Sequence, residues 1–138
     1  MPERYLLDTH AWIWMQEGDS KLTSSTIHLV DDARRESSVY VAAISIWEIA
    51  LLDHARRISL NMAIGDWLNA AFTRGRLQLA PLSPMIAIES TRLPGELHRD
   101  PADRMLVATA RVENLTLLTR DARLLAYGRN GHVRSKKI

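Results

Sequence analysis

Residues 115–128 read LTLLTRDARLLAYG. Five apolar or β-branched residues, 115–119, have the character of a short buried strand. Asp121 follows, separated from the strand only by Arg120, and "DARLLAYG" reads as a short helix ending at Gly128. A strand that passes through one acidic turn directly into a helix is a β-α unit, and the order of elements elsewhere in the chain repeats it.

Upstream, "RYLLD" (4–8) is a short apolar run ending in an acid and reads as the first strand. "AWIWMQEG" after it reads as a short helix closed by Gly18, and "LTSSTIHLVDDARRES" (22–37) as a helix with Thr23 and Ser24 as cap candidates. "SVYVAA" (38–43) is the second strand, "SIWEIALLDHARR" (45–57) a helix, and Asn61 to Arg74 a further helix stopped by Gly75. "LQLAPL" (77–82) reads as strand three and "PMIAIESTRL" (84–93) as a helix with Pro84 near its start. Asp100 and Pro101 open the helix of "DPADRMLVATA", and "HVRSKKI" offers a last edge strand. Strands alternating with helices predict a three-layer α/β/α fold around a mostly parallel sheet. We assign residues 1–138 to one domain, with 129–138 as a basic tail or edge strand. In such folds ligand sites form outside the carboxyl ends of the strands.

The acids fall on that edge. Asp8 ends strand one, Glu48 is expected in the first turn after strand two, Asp103 in the first turn of the helix from 101, and Asp121 after strand four. Each also has an ordinary structural role. Asp8, Asp100 and Asp121 suit helix N-caps, Asp103 suits the positive end of a helix dipole, and Ser45 with Glu48 forms the S-x-x-E capping-box pattern. Carboxylates brought together repel unless a cation or protons compensate. By spacing alone, an acidic cation site and a well-capped α/β domain stay equally open.

Composition narrows the class. The 138 residues are 46% hydrophobic and 25% charged, with no cysteine, so thiolate metal sites and disulfides are excluded. Glu3 and Asp8 interrupt any signal-peptide core, and the longest apolar stretch, "VYVAAISIWEIALL", contains Glu48 and is shorter than the ~20 residues of a membrane helix. A soluble, cytoplasmic protein without a membrane partner is the expectation. Residues 1–95 carry 9 Lys/Arg against 11 Asp/Glu, whereas 96–138 carry 9 against 5, so positive charge gathers late in the chain. A basic segment beside an acidic site suits a nucleic-acid substrate; a solvated tail is the plainer reading. His10, His28, His54, His98 and His132 show no H-x-x-x-H spacing, and there is no P-loop, G-x-G-x-x-G or G-x-S-x-G. His98 reads as a loop side chain. The four tryptophans read as core or groove residues, with Trp14 as a possible exposed anchor for a partner.

Four segments together resemble a known family. "LLDTHAWIW", "AAISIWEIA", "DPADRMLVATA" and "LTLLTRDARLLAYG" look like the four acidic motifs of the PIN-domain ribonucleases, most closely those of the VapC toxins. The resemblance runs from Tyr5 to Gly128. It implies a toxin of a type II toxin–antitoxin pair, a Mg²⁺-dependent (or Mn²⁺-dependent) endoribonuclease that hydrolyses RNA. Asp8, Asp103 and Asp121 would hold the metal, and Glu48 would ligate a second ion or orient the attacking water. Asp100 would be chiefly a cap. The resemblance also implies a small antitoxin in the active-site groove, a homodimer, and a hetero-oligomer with the antitoxin. The chain departs from the pattern after "WEIA", where "LLDHARRISL" replaces the usual Lys and Gly-Lys-Leu, leaving Arg56 and Arg57 as substitutes for RNA contact. Two other readings stand beside it. One is a PIN-like nuclease acting on DNA or structured nucleic acid. The other is a non-nuclease acidic-pocket signalling domain of the receiver type, disfavoured because strand three ends "LAPLSP" without an Asp.

Overall fold

The computed structural model describes residues 3–138; the first two residues of the assigned domain range lie outside it. Twelve elements alternate along the chain. Strand β1 (Tyr5–Leu7) leads to helices α1 (Thr9–Glu17) and α2 (Ser24–Arg35), and β2 (Val39–Ala42) to α3 (Ala43–His54) and α4 (Ile64–Phe72). Strand β3 (Gln78–Ala80) leads to α5 (Pro84–Glu89) and α6 (Pro101–Val112), β4 (Thr116–Thr119) to α7 (Ala122–Arg129), and β5 (Ser135–Lys137) closes the sheet edge. The five strands are all parallel, in the order β3-β2-β1-β4-β5.

That order has a functional consequence. The chain builds outward from β1 through β2 to β3, then returns to the other side of β1 for β4 and β5. The order therefore reverses between β1 and β4, and a crevice opens at the carboxyl ends of those two strands.

The middle of the sheet is covered on both faces, which is why β1, β2 and β4 are apolar rather than alternating, whereas the edge strand β5 is Ser-Lys-Lys. Leu7, Val41 and Leu118 face one core with Trp12, Val30, Ile49 and Trp67. Leu6, Ala42 and Leu117 face the other with Ile86, Leu106, Val107 and Tyr127. Adjacent residues of the central strands β1, β2 and β4 thus enter opposite cores, as the two-residue strand period requires. Trp12 and Trp67 are fully buried with ring centroids 5.3 Å apart, so truncating either to Ala removes about 3–5 kcal/mol.

Several expectations are corrected. Helix α3 starts at Ala43 with no loop after β2, and its N-cap Ala42 makes no side-chain cap bond. Ser45 is therefore not a capping residue, the capping-box reading fails, and Glu48 sits in the second turn instead of the first. The helix expected over 84–93 stops at Glu89: the Ser90 and Thr91 hydroxyls bond back to Ala87 O (2.6 Å) and Ile88 O (2.7 Å), and Pro94 follows. Helix α7 does not end at Gly128 but runs through it to Arg129. The glycine serves close packing there: a Cβ would lie 2.0 Å from Ser135 Oγ and 3.2 Å from Val133 O. Trp47 is not a core residue; it is 55% exposed.

Candidate functional site

The acid at the end of β1 is placed by its own helix. Asp8 is the N-cap of α1, with Oδ1 accepting from Ala11 N at 2.7 Å. Its Oδ2 accepts the Thr119 hydroxyl from the end of β4. Asp8 is 8% exposed, and burial pushes its carboxyl above the usual aspartate range while the Thr119 and Ala11 donors pull it back. Thr119 is itself fully buried, and its Oγ1 accepts the Asp121 backbone N–H at 3.0 Å. One hydroxyl thus joins the two acids that flank the strand-order reversal.

Asp121 caps α7, taking Arg123 N at 2.8 Å and Leu124 N at 3.2 Å on Oδ1, while Arg123 Nη2 lies 3.5 Å from Oδ2. Partial burial works to raise this carboxyl, but the two N–H donors and the Arg123 side chain outweigh it and hold it below the ordinary value.

Glu48 reaches the same edge from α3. The Thr9 hydroxyl donates to Glu48 Oε1 at 2.6 Å and lies 2.9 Å from the buried Ser45 Oγ. Burial raises the Glu48 carboxyl, Thr9 lowers it, and the charges of Asp103 and Asp100 raise it again. Asp103 stands in the first turn of α6, its N–H capped by Asp100 Oδ1 at 2.9 Å. Its Oδ2 lies 2.6 Å from His98 Nε2.

These residues line one open cavity of about 470 Å³, walled by Asp8, Glu48, Asp100, Asp103 and Asp121, with Arg120 and Arg123 at its side. All four acids singled out in the sequence are on it. They are not drawn into a closed ligand cluster: among the described residues no three His, Asp or Glu side chains stand close enough to surround one ion. Asp8 and Asp121 are turned onto their own helix caps. A larger cavity, about 920 Å³, lies around the amino ends of β1, β4 and β5 and is lined by Arg111, Arg129, His132 and Arg134. It holds none of the motif acids, so size does not locate the chemistry here.

Sequence reasoning passed over Thr9 and Thr119 and took His98 for a loop side chain, yet between them these residues contact all four acids. Thr9 and Thr119 adjoin motif acids by one and two positions, but a hydroxyl next to an Asp has no distinctive spacing. His98 was visible five residues before Asp103, an offset that no helix or strand period explains, because the loop folds back.

Donor chemistry favours a hard cation. Five carboxylates on the cavity supply oxygen donors and no sulfur lines it; His10 is the imidazole on its wall, and the nearby His98 ring is engaged with Asp103. Such a set suits Mg²⁺ or Mn²⁺, ions that retain waters and need only a few protein oxygens.

Comparison with known proteins agrees with the fold. The family profile of the PIN domain matches residues 5–130. Ribonuclease VapC22 of Mycobacterium tuberculosis is 31% identical over 122 residues, covering 88% of this chain and 90% of that protein. The structure resembles VapBC2 from Rickettsia felis bound to a DNA fragment from its promoter, with a TM-score of 0.70 at 17% identity over 96% of this chain and 97% of that one. DNA-bound VapBC from Salmonella typhimurium gives 0.66 at 20% identity, over 99% and 98%. The profile match across most of the chain and the VapC22 identity together make this chain a member of the PIN-domain family, of the VapC type.

Proposed function

We propose that this protein is the toxin of a type II toxin–antitoxin pair, a divalent-metal-dependent endoribonuclease that hydrolyses RNA phosphodiester bonds. One observation carries the reading: Asp8, Glu48, Asp103 and Asp121, from four separate sequence motifs, line a single cavity at the strand-order reversal. The VapC22 relationship points to the same chemistry. The receiver-type reading loses its support with the family assignment.

Asp8, Asp103 and Asp121 would hold Mg²⁺ or Mn²⁺, with Glu48 beside them to hold a second ion or to orient water. An ion bound there supplies an acidified water and neutralises charge on the phosphodiester. The chain's own residues do the rest. Thr119 and Thr9 keep the Asp8 and Glu48 carboxylates in place, and the raised carboxyls of these two acids make them receptive to a compensating cation. Arg120 and Arg123 stand on the same cavity as cations for the flanking phosphates. Arg56 and Arg57, just beyond α3, are further candidates for RNA contact.

The partner in this reading is a small antitoxin. A cavity of about 630 Å³, lined by Trp12, Trp14, Met15, Ile27 and Met62, shares Trp14 with the acidic cavity. An apolar antitoxin segment seated there could continue into the acids with a basic side chain. A homodimer and a hetero-oligomer with the antitoxin belong to the same proposal. So does a cytoplasmic location; no helix among the described residues is long and apolar enough to cross a membrane.

The test is cleavage of purified RNA with Mg²⁺, run beside single-stranded DNA and beside a chelator. Asp8→Ala and Asp103→Ala should each lose at least about 10²-fold in rate while keeping the wild-type far-UV spectrum. Undiminished cleavage by folded variants, or cleavage of DNA with RNA left intact, would contradict the assignment.

A further inference from the structure

We propose that His98 is a positioning residue for Asp103, presenting that carboxylate to the divalent ion; this rests on the metal-dependent nuclease reading above. The observation is the 2.6 Å contact between His98 Nε2 and Asp103 Oδ2, with the two side chains only 17% and 22% exposed. It sits within a fixed loop. Arg104, one residue past Asp103, donates from Nε to Ser90 O and from Nη1 to Leu97 O, both at 3.0 Å. Those bonds tie residues 90–98 down onto α6 and hold the His98 backbone where its ring meets the helix start. Leu93 and Leu97 pack into the core on that side.

The ring's other nitrogen decides its tautomer. His98 Nδ1 is buried and has no hydrogen-bond partner. A buried N–H without an acceptor is the costlier defect compared with a bare lone pair beside a satisfied N–H. The hydrogen-bond network therefore assigns the proton to Nε2, where it is donated to Asp103. That occupies Oδ2 and fixes the carboxylate plane. Oδ1 makes no hydrogen bond among the described residues and belongs to a side chain that lines the acidic cavity. Asp100 meanwhile holds the Asp103 backbone N–H at 2.9 Å. Backbone and side chain of Asp103 are each held once, leaving one oxygen for the cation.

The familiar arrangement in metal sites is a ligating histidine oriented by a carboxylate. Here the roles are exchanged: the carboxylate faces the cation and the imidazole orients it. Removing such an orienting partner weakens metal affinity by about 10–100-fold.

The experiment compares His98→Phe, which keeps a ring but no donor, with His98→Gln, whose amide nitrogen can reach the position of Nε2. Mn²⁺ affinity is measured by electron paramagnetic resonance on each full-length protein, with thermal unfolding as a fold control. Imidazole nitrogen shifts of the wild type, in divalent-free buffer, report the tautomer directly. The proposal expects the Nε2–H form, a loss of about 10–100-fold in Mn²⁺ affinity for His98→Phe, and recovery of most of that loss in His98→Gln. Equal Mn²⁺ affinity in wild type and His98→Phe would overturn it, as would a loss in His98→Gln as large as in His98→Phe, or an Nδ1–H tautomer. A wild type that neither binds Mn²⁺ nor cuts RNA would instead take down the metal reading, and this proposal with it.

Discussion

The Thr119 hydroxyl donates to the Asp8 carboxylate across the β1–β4 strand pair, both residues being buried. The bond spans 111 residues of sequence and lies where the strand order reverses. It ties the first and fourth acidic motifs together through one hydroxyl that donates to the Asp8 carboxylate and accepts the Asp121 backbone N–H.

Thr119→Val tests that tie. The substitution keeps the β-branched shape but strips the donor from Asp8 and the acceptor from the Asp121 N–H. Leaving one buried polar group unpaired costs about 1–3 kcal/mol, and the Asp121 N–H is only partly buried, so urea unfolding should show a loss of at least about 1 kcal/mol. The Asp8 carboxyl should titrate still higher, because the hydroxyl is the leading influence that lowers it. Unchanged stability together with an unchanged Asp8 titration would show that the bond is not formed in solution.

Stability in divalent-free buffer should depend on pH with a definite sign. Asp8 and Glu48 have folded carboxyls raised above their ordinary 3.8 and 4.5. Their contribution is complete below those values and is lost as pH rises through the raised ones. Asp121 is lowered, so its contribution is present above 3.8 and is lost as pH falls through the lowered value. Glu48→Gln, which can still accept from Thr9, should be more stable than wild type at pH 7, with the gap narrowing toward pH 4. A gap that is constant with pH would contradict the raised Glu48 carboxyl.

Gly128→Ala should destabilise by about 1–3 kcal/mol in thermal unfolding, because the new methyl meets Ser135 and the Val133 carbonyl across the α7–β5 contact. A Ser135→Gly partner substitution should restore part of the loss by removing the atoms at 2.0 and 3.0 Å. No loss in the single variant would mean that β5 can move away freely.

The proposed homodimer can be tested at α3. Trp47 and Leu51 are 55% and 48% exposed, large apolar side chains that the rest of the chain covers only by about half. If Trp47 lies in the dimer contact, sedimentation velocity of the protein alone should shift from dimer to monomer in Trp47→Ser, with the far-UV spectrum of the wild type retained. A dimer that survives the substitution would place the interface elsewhere.

Much of this molecule is legible in sequence because β1, β2 and β4 are short, apolar and each followed by an acid or a helix start. Asp8, Thr23, Asp100 and Asp121 all cap helices, as local rules anticipate. The misreadings arise where tertiary contacts override those rules. Ser45 and Glu48 have a capping-box spacing, yet β2 runs straight into α3 and frees both side chains for Thr9. Gly128 has a stop signal's identity but lies within a helix because Ser135 comes too close for a Cβ. Trp47 has a core residue's chemistry and faces outward from α3. At the site, the four acids were visible as motifs. The hydroxyls and the imidazole that fix them were not, because those contacts are set by the folding of β4 and of the 90–100 loop.

In the proposed function the acids of this cavity share a divalent cation. Crystals grown or soaked with Mn²⁺ and measured at the manganese edge test it without reference to any substrate. Anomalous density is expected inside the cavity between Asp8 and Asp103, with carboxylate oxygens in its coordination shell. No density there, or manganese bound only at distant surface acids while the protein still cuts RNA, would contradict it.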